Sequence, residues 1–465
     1  MALFQSFGAA QTVTGSCHVL KLDNMTVMVD CGLYQGEGVE NLNYKPFGFR
    51  PKDIDVLLIT HAHLDHVGRI PKLVKEGFRG RIVSLKSTMD LAEVVLLDTA
   101  HLMEEDYKTR YKKAQRRGTE HRVRKPLYDV EDVERVYELP IEYVYYDERV
   151  KLGKGVWATF RDAGHILDSA TVEISFREEG RTKRVVFSGD LGNKNDMVMP
   201  FAKQVYKADA LFIESTYGDR NHKSMEETLK EFKDIVFNTL INRGNVIIPS
   251  FAIERTQEIL CVLKDMYKNG ELPYCKIYID SPMAITATNL YNIYHEELSE
   301  HCNEYLKEDG SVFDFPYVKY VMKSFESKKI NDEVYGCIII AGSGMCTGGR
   351  ILHHFKHRLW NRKNSVLFVG YQAKGTLGRK IVEGTKKVRI YHEEISVKAR
   401  IHTLNGFSAH ADQSEMIEWM RGFKKLDKIF LIHGEREKQE IFKKAIYDKL
   451  RKKAHIVELR EKIFI

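Results

Sequence analysis

No stretch of this chain is long and apolar enough to span a bilayer. Its opening residues, Met1-Ala2-Leu3-Phe4-Gln5-Ser6-Phe7-Gly8, lack the basic region and apolar run of a secretory signal. Both absences point to a cytoplasmic protein with no membrane partner. The cysteines are scattered and odd in number, seven in all, with no Cys-x-x-Cys spacing. That argues against a disulfide framework and for free, mostly buried thiols in a reducing compartment. There is no Gly-x-x-x-x-Gly-Lys-[Ser/Thr] motif, which speaks against an ATP site. Internal repeats, low-complexity tracts and an obvious linker are also missing.

What is present is ordinary in bulk and unusual in detail. A chain of 465 residues can bury a large core and is expected to form two domains. With 43% hydrophobic and 29% charged residues it reads as a globular protein. The formal charge of +7 permits a polyanionic partner. The basic excess is uneven, being dense from Lys108 to Lys125. Taken alone, that run reads as a solvated helix and loop.

The chemistry concentrates at Thr60-His61-Ala62-His63-Leu64-Asp65-His66. The run Val56-Leu57-Leu58-Ile59 before it reads as a buried strand, and a helix is expected from about 67 to 78. Neutral imidazole and ionised carboxylate are the usual ligands of zinc and similar divalent ions. Four such groups in one loop do not complete two metal shells, so other ligands must come from elsewhere. Other predicted strands end in suitable residues: Asp30 after 24–29, His165 after 157–164, Asp190 after 184–189 and Glu214 after 210–213. A strand is also expected over 12–22.

After Gly218 strands and helices alternate, as in a doubly wound parallel sheet. Helices are expected at 225–243, 255–269 and 286–301, and strands at 245–250, 276–280, 336–341 and 365–369. The final seventy or so residues return to the earlier style, with strands at 398–404 and 428–433 and a last strand at 456–465.

The His61 to His66 cluster, with Asp30, His165, Asp190 and His433, resembles the metallo-β-lactamase superfamily. Glu214 in Glu-Ser-Thr-Tyr-Gly, His410 in Phe-Ser-Ala-His-Ala-Asp and His433 in His-Gly-Glu resemble the motifs of its β-CASP branch, which processes nucleic acids. Gly-Ser-Gly-Met-Cys-Thr-Gly-Gly-Arg and Gly-Tyr-Gln-Ala-Lys-Gly-Thr-Leu-Gly-Arg resemble the group of the cleavage and polyadenylation specificity factor endonuclease, here in a compact prokaryotic form without KH domains. The resemblance implies an α/β fold: an αββα sandwich with an inserted β-CASP domain built on a parallel βαβ sheet. Its expected segments are 1–217 and 396–465 for the sandwich and 218–395 for the insert.

It also implies two zinc ions. His61, His63 and His165 hold one, Asp65, His66 and His433 hold the other, and Asp190 bridges them. Two ions about 3.5–4 Å apart can clamp a phosphate oxygen and supply a hydroxide nucleophile near neutral pH. Manganese or iron also suits such ligands. Asp30 is expected behind a metal-bound histidine. His410 is the expected general acid, oriented by Glu214. The insert is expected to hold nucleic acid, with Ser250, Arg255, Ser281, Ser343, Gly344, Met345, Lys374 and Arg379 as phosphate partners.

The expected activity is hydrolysis of phosphodiester bonds in single-stranded RNA, by endonuclease or exonuclease action, in a homodimer. Alternatives are a hydrolase of a small thioester or ester, a DNA nuclease, a di-iron redox protein and a non-catalytic RNA-processing scaffold.

Overall fold

Side-chain alternation sets the strands. Along Lys207–Ile213, Ala210 and Phe212 enter one core while Leu211 and Ile213 enter another. The same period separates Val185 and Phe187 from Val186, and Phe430 from Ile429 and Leu431. A sheet buried on both faces needs cover on both. Here one face meets a second sheet and the other meets helices.

A computed structural model describes residues 1–36, 38–373 and 375–465. The chain divides into two compact units: Met1–Gly192, Phe201–Asn221 and His410–Ile465 form the first, and Asn193–Pro200 and His222–Ala409 the second.

The first unit contains two seven-stranded sheets. One runs, edge to edge, Ile463–Phe464, Leu3–Gly8, Cys17–Lys21, Thr26–Val29, Val56–Leu58, Arg81–Leu85 and Ile141–Val144. The other runs Ala454–Ile456, Lys425–Leu431, Lys207–Ile213, Arg181–Phe187, Ala170–Glu178, Val156–Asp162 and Arg149–Gly153. Leu20, Val29 and Leu58 of the first share a core with Phe160, Phe187 and Phe212 of the second. Trp419 of helix Gln413–Arg421 and Phe442 of helix Arg436–Leu450 cover the outer face of the second sheet. Helices Ile70–Lys75, Lys86–Gln115 and Val130–Tyr137 lie between strands of the first in the chain and bury Leu73, Leu91 and Val133. This is the αββα sandwich.

Parallel register brings the strand ends together. Val29 lies opposite Leu58, Phe187 opposite Phe212, and Phe212 opposite Phe430. Asp190, Glu214 and His433 therefore leave the second sheet at one edge. Strand Val156–Asp162 is antiparallel to Ala170–Glu178, which is antiparallel to Arg181–Phe187, so the segment carrying His165 starts at that edge too.

The second unit is built on a six-stranded parallel sheet in the order Val318–Tyr320, Lys276–Ile279, Cys337–Ala341, Val246–Pro249, Ser365–Phe368 and Arg400–Thr403. Helices Met225–Ile241, Arg255–Lys268, Pro282–Ile293 and Ile351–Arg358 alternate with its strands.

Several expected elements differ. The helix over 67–78 is two, Leu64–Val67 and Ile70–Lys75. Between them the Arg69 N–H donates to the Cys31 carbonyl at 2.8 Å, and the buried Arg69 side chain bonds the Gly32 and Gly15 carbonyls. The helix over 286–301 is also two, Pro282–Ile293 and Glu300–Asp309, because the Ser299 hydroxyl caps the second by accepting the Cys302 N–H at 3.3 Å. The strand over 12–22 is confined to Cys17–Lys21. The last strand splits into Ala454–Ile456 and Ile463–Phe464, which join different sheets. The return to the sandwich, expected at 396, falls at His410 in the division by contacts, because Arg400–Thr403 pairs with Ser365–Phe368.

Candidate metal centre

The loop from Thr60 to His66 is held from behind by Asp30. One Asp30 oxygen accepts the Thr60 N–H at 2.8 Å; the other accepts the Thr60 hydroxyl at 2.8 Å and meets His66 Nδ1 at 2.8 Å. Asp30 itself has a left-handed backbone, φ 59°, and its N–H donates to the Leu58 carbonyl at 2.9 Å. Two residues on, Gly32 touches the Asp65 backbone so closely that an added Cβ would lie 1.5 Å from the Asp65 carbonyl oxygen. Glycine is what allows this approach.

With Nδ1 held by Asp30, His66 turns its Nε2 toward Asp190 Oδ2, 3.4 Å away, and His433 Nε2, 3.2 Å away. His433 Nε2 is 3.4 Å from Asp65 Oδ2, and the Thr216 hydroxyl lies 3.1 Å from His433 Nδ1. On the other side, His63 Nδ1 and His165 Nε2 are 3.2 Å apart. Asp190 Oδ2 lies 3.5 Å from His61 Nε2 and 3.7 Å from His165 Nε2. The residues thus gather into His61, His63, His165 and Asp190, and into Asp65, His66 and His433. Asp190 Oδ2 reaches toward both groups.

Three observations fit these groups to divalent ions. His61 Nε2 and Asp190 Oδ1 are buried without a hydrogen-bond partner among the described residues, a costly state unless something else binds them. Facing imidazole nitrogens 3.2 Å apart match two ligands of one tetrahedral ion, which at metal–nitrogen distances near 2.0–2.1 Å stand about 3.4 Å apart. The protonation states also suit cation binding. Burial pushes His61 well below its ordinary pKa and His63 down to about 4, keeping both neutral. Burial opposes the Asp190 charge, yet His433, His66 and His61 hold its carboxyl well below the usual range. Burial likewise opposes charge on His66, but Asp190 and Asp30 raise its pKa well above the ordinary value. A site that favours a proton there favours a metal cation in its place.

His410 stands beside this cage. Its ring centre is 4.4 Å from that of His165, and its Nδ1 is 3.3 Å from Glu214 and 3.9 Å from Asp190. Glu214 is fixed by the Leu191 N–H, which donates to it at 2.6 Å. Burial disfavours charge on His410, but Glu214, with further help from Asp190, outweighs it and raises the pKa to about 9.

The expected phosphate partners are placed differently. Arg255 is buried and ion-paired with Glu258 one helical turn on, so it does not present its charge to solvent. The buried Ser250 hydroxyl donates to the Phe251 carbonyl at 3.1 Å and accepts from Thr256 at 3.1 Å. The Ser281 hydroxyl accepts the Ala284 N–H at 3.3 Å and caps a helix. The Ser343 hydroxyl accepts the Thr347 N–H at 2.9 Å within its own turn. The carbonyls of Gly344 and Met345 receive Gln372 Nε2 at 2.9 Å and the Gly378 N–H at 3.3 Å. Arg379 is half-exposed and paired with Glu383 at 2.7 Å. Lys374 lies outside the described residues.

Sequence reasoning missed Thr60 and Thr216, whose hydroxyls orient His61 and His433. Thr60 adjoins the ligand candidate His61, and Thr216 lies two residues after Glu214 beyond the end of a strand; that placement was the available signal.

A cage of histidines and aspartates at the strand ends of an αββα sandwich, with a parallel-sheet insert, defines a class of metallo-hydrolase. Three family models match in agreement: the metallo-beta-lactamase superfamily over residues 11–236, the Beta-Casp domain over 256–381, and the Zn-dependent metallo-hydrolase RNA specificity domain over 394–457. The chain is 42% identical over 435 residues to Ribonuclease TTHA0252 of Thermus thermophilus, covering 93% of each chain. It is 31% identical to transcription termination factor FttA of Methanocaldococcus jannaschii, over 95% of this chain and 69% of that protein. The chain belongs to the metallo-β-lactamase superfamily, in its β-CASP ribonuclease family. The crystal structure of an Enterococcus faecalis V583 protein of unknown function shares the fold over the full length of both chains, with TM-score 0.57 and 11% identity.

Proposed function

We propose that this chain is a zinc-dependent ribonuclease that hydrolyses phosphodiester bonds of single-stranded RNA. The observation that carries the reading is the pair of ligand groups joined at Asp190, with His410 at their side. In this proposal His61, His63, His165 and Asp190 hold one ion, and Asp65, His66, His433 and Asp190 a second. Ions so held supply Lewis acidity at a phosphate oxygen and lower the pKa of water toward neutrality.

The chain's own residues do the rest. Asp30 fixes His66 by its Nδ1, and Thr216 steadies His433. Their ring orientation is thereby set before substrate arrives. Glu214 keeps His410 protonated near neutral pH, and His410 delivers that proton to the departing sugar oxygen. Glu214 is held by the Leu191 N–H, so the donor ring stays in place through the step.

In the second unit, the N–H groups of Gly344 and Met345 make no hydrogen bond among the described residues, and we assign them to phosphate contact together with Arg379. The seven free cysteines, all buried, suit a cytoplasmic enzyme. Among the described residues no helix is long and apolar enough to cross a membrane.

The test is incubation of end-labelled RNA, with 5′-phosphate and 5′-hydroxyl ends compared, with and without a chelator. Cleavage lost on chelation and restored by zinc supports the reading; cleavage indifferent to chelation sinks it. Metal analysis of the purified protein should find two ions per chain, and light scattering tests the expected homodimer.

A further inference from the structure

Helix Lys86–Gln115 is 30 residues long, about 45 Å, yet it is buried only as far as Ala100. Its start is tied down: the Ser87 N–H donates to Asp168 at 3.2 Å and the Thr88 hydroxyl to the Asp168 carbonyl at 2.7 Å. Beyond Ala100 none of its residues is fully buried, although Met103, Glu104, Tyr107 and Ala114 are half-buried. A helix half with so little buried surface gains little from packing, and one of this length is marginal in water.

Its charge is also segregated. Residues 107–125 hold nine Lys and Arg against one Glu, a net of +8, while the whole chain carries +7. The remainder of the protein therefore sums to −1. All nine basic residues are exposed. Lys108 and Arg110 pair with Glu104 and Asp106 on the turn before, at 3.3 and 2.8 Å. Lys112, Lys113, Arg116 and Arg117 have no ion pair among the described residues. Like charges held this close repel one another, and a polyanion relieves the repulsion.

Aromatic rings stand among these cations. Tyr107 and Tyr111 lie one turn apart with ring centres 5.7 Å from each other. The loop after the helix brings the Arg124 guanidinium 4.4 Å above the ring of Tyr44, itself 40% exposed. Cations that track a phosphate backbone, interleaved with rings on which bases stack, are the two components of a single-strand binding surface.

We propose that the exposed half of this helix and the loop to Lys125 form an arm that holds single-stranded RNA at a distance from the metal centre. The inference rests on the ribonuclease reading for its substrate. The basic half begins about 30 Å along the helix from the Asp168 anchor, so only RNA long enough to reach it gains from it.

The test uses the full chain in a salt series, with one RNA long enough to span the helix and one of a few nucleotides. Lys112, Lys113, Arg116 and Arg117 are changed together to Glu. A control changes Lys443, Lys444, Lys449 and Lys453, also exposed, by the same total charge. For the arm variant, KM on long RNA rises about tenfold or more, and the slope of log KM against log salt falls by about three. Its kcat and its cleavage of the short RNA stay unchanged.

Unchanged KM on long RNA overturns the arm, as does an equal effect of the control. Binding of labelled RNA to Asp190→Ala protein, with and without the arm substitutions, keeps the two readings separate. RNA bound through the arm by a wild-type protein that cleaves nothing leaves the arm standing and the ribonuclease reading fallen. Equal affinity for RNA and for polyglutamate of matched charge overturns the RNA assignment, since only bases stack.

Discussion

The two units end their strands in opposite chemical states. In the first, the strand ends carry His and Asp with buried atoms that lack a hydrogen-bond partner among the described residues, as at His61 Nε2 and Asp190 Oδ1. In the second, Asp280, Ser250 and Ser281 at the strand ends are paired within the protein. Asp280 receives Ser327 at 2.6 Å, Arg350 at 2.7 Å and His354 at 2.7 Å; Ser250 and Ser281 are hydrogen-bonded within their own turns. Both sheets deliver polar residues to one edge. The first gathers incomplete His and Asp atoms around one carboxylate, and that gathering marks a site able to take an ion.

The sharpest way to break this comparison is Asp190→Ala. Cleavage should fall below detection and bound metal should drop, both read on the same preparation, while the circular dichroism spectrum is retained. Full activity in that variant would end the assignment of Asp190 to both groups. Next in size is His410→Ala, expected to lower kcat by roughly 10² to 10⁴-fold with metal content unchanged. In the role proposed for His410 the protonated imidazole is the working form, so activity should fall as pH rises through its pKa. Glu214→Gln removes the charge that raises that pKa to about 9, so the alkaline limb of the pH–rate profile moves to lower pH. Cations beside His410 move it the same way in both proteins, so the difference between the profiles persists.

Asp30→Asn should cost about 10- to 100-fold in metal affinity, measured by competition with a chelator, because His66 loses its orienting carboxylate. The smallest effect belongs to the second unit. Ser281→Ala removes a helix cap and should lower stability by about 1 kcal/mol in urea unfolding, with metal content untouched. Metal loss there would erase the contrast between the two units.

The candidate site was legible because its candidate ligands sit where periodicity changes. His61 to His66 follow a strand within a few residues, and Asp190, Glu214 and His433 each follow one directly or nearly so. Burial was less legible. Arg255 looked available for a phosphate, although Glu258 at the next turn was visible in the sequence as its partner; what hid the pairing was the depth of the helix. The breaks at Arg69 and Ser299 were hidden for a related reason. Both depend on hydrogen bonds that local propensity does not report: a backbone N–H meeting the Cys31 carbonyl, and a hydroxyl capping a short helix. The boundary near residue 400 was hidden because a strand in the style of the first unit pairs with Ser365–Phe368 in the second.

His66 and His433, whose nitrogens stand 3.2 Å apart, are separated by 367 residues of chain. During synthesis the first is made roughly 20 to 70 s before the second. Strand Lys425–Leu431, which carries His433, fills the place beside Lys207–Ile213. A polypeptide released before that strand is made has neither the last candidate ligand nor the strand that leads to it. The candidate site is thus one that only a nearly complete chain can assemble.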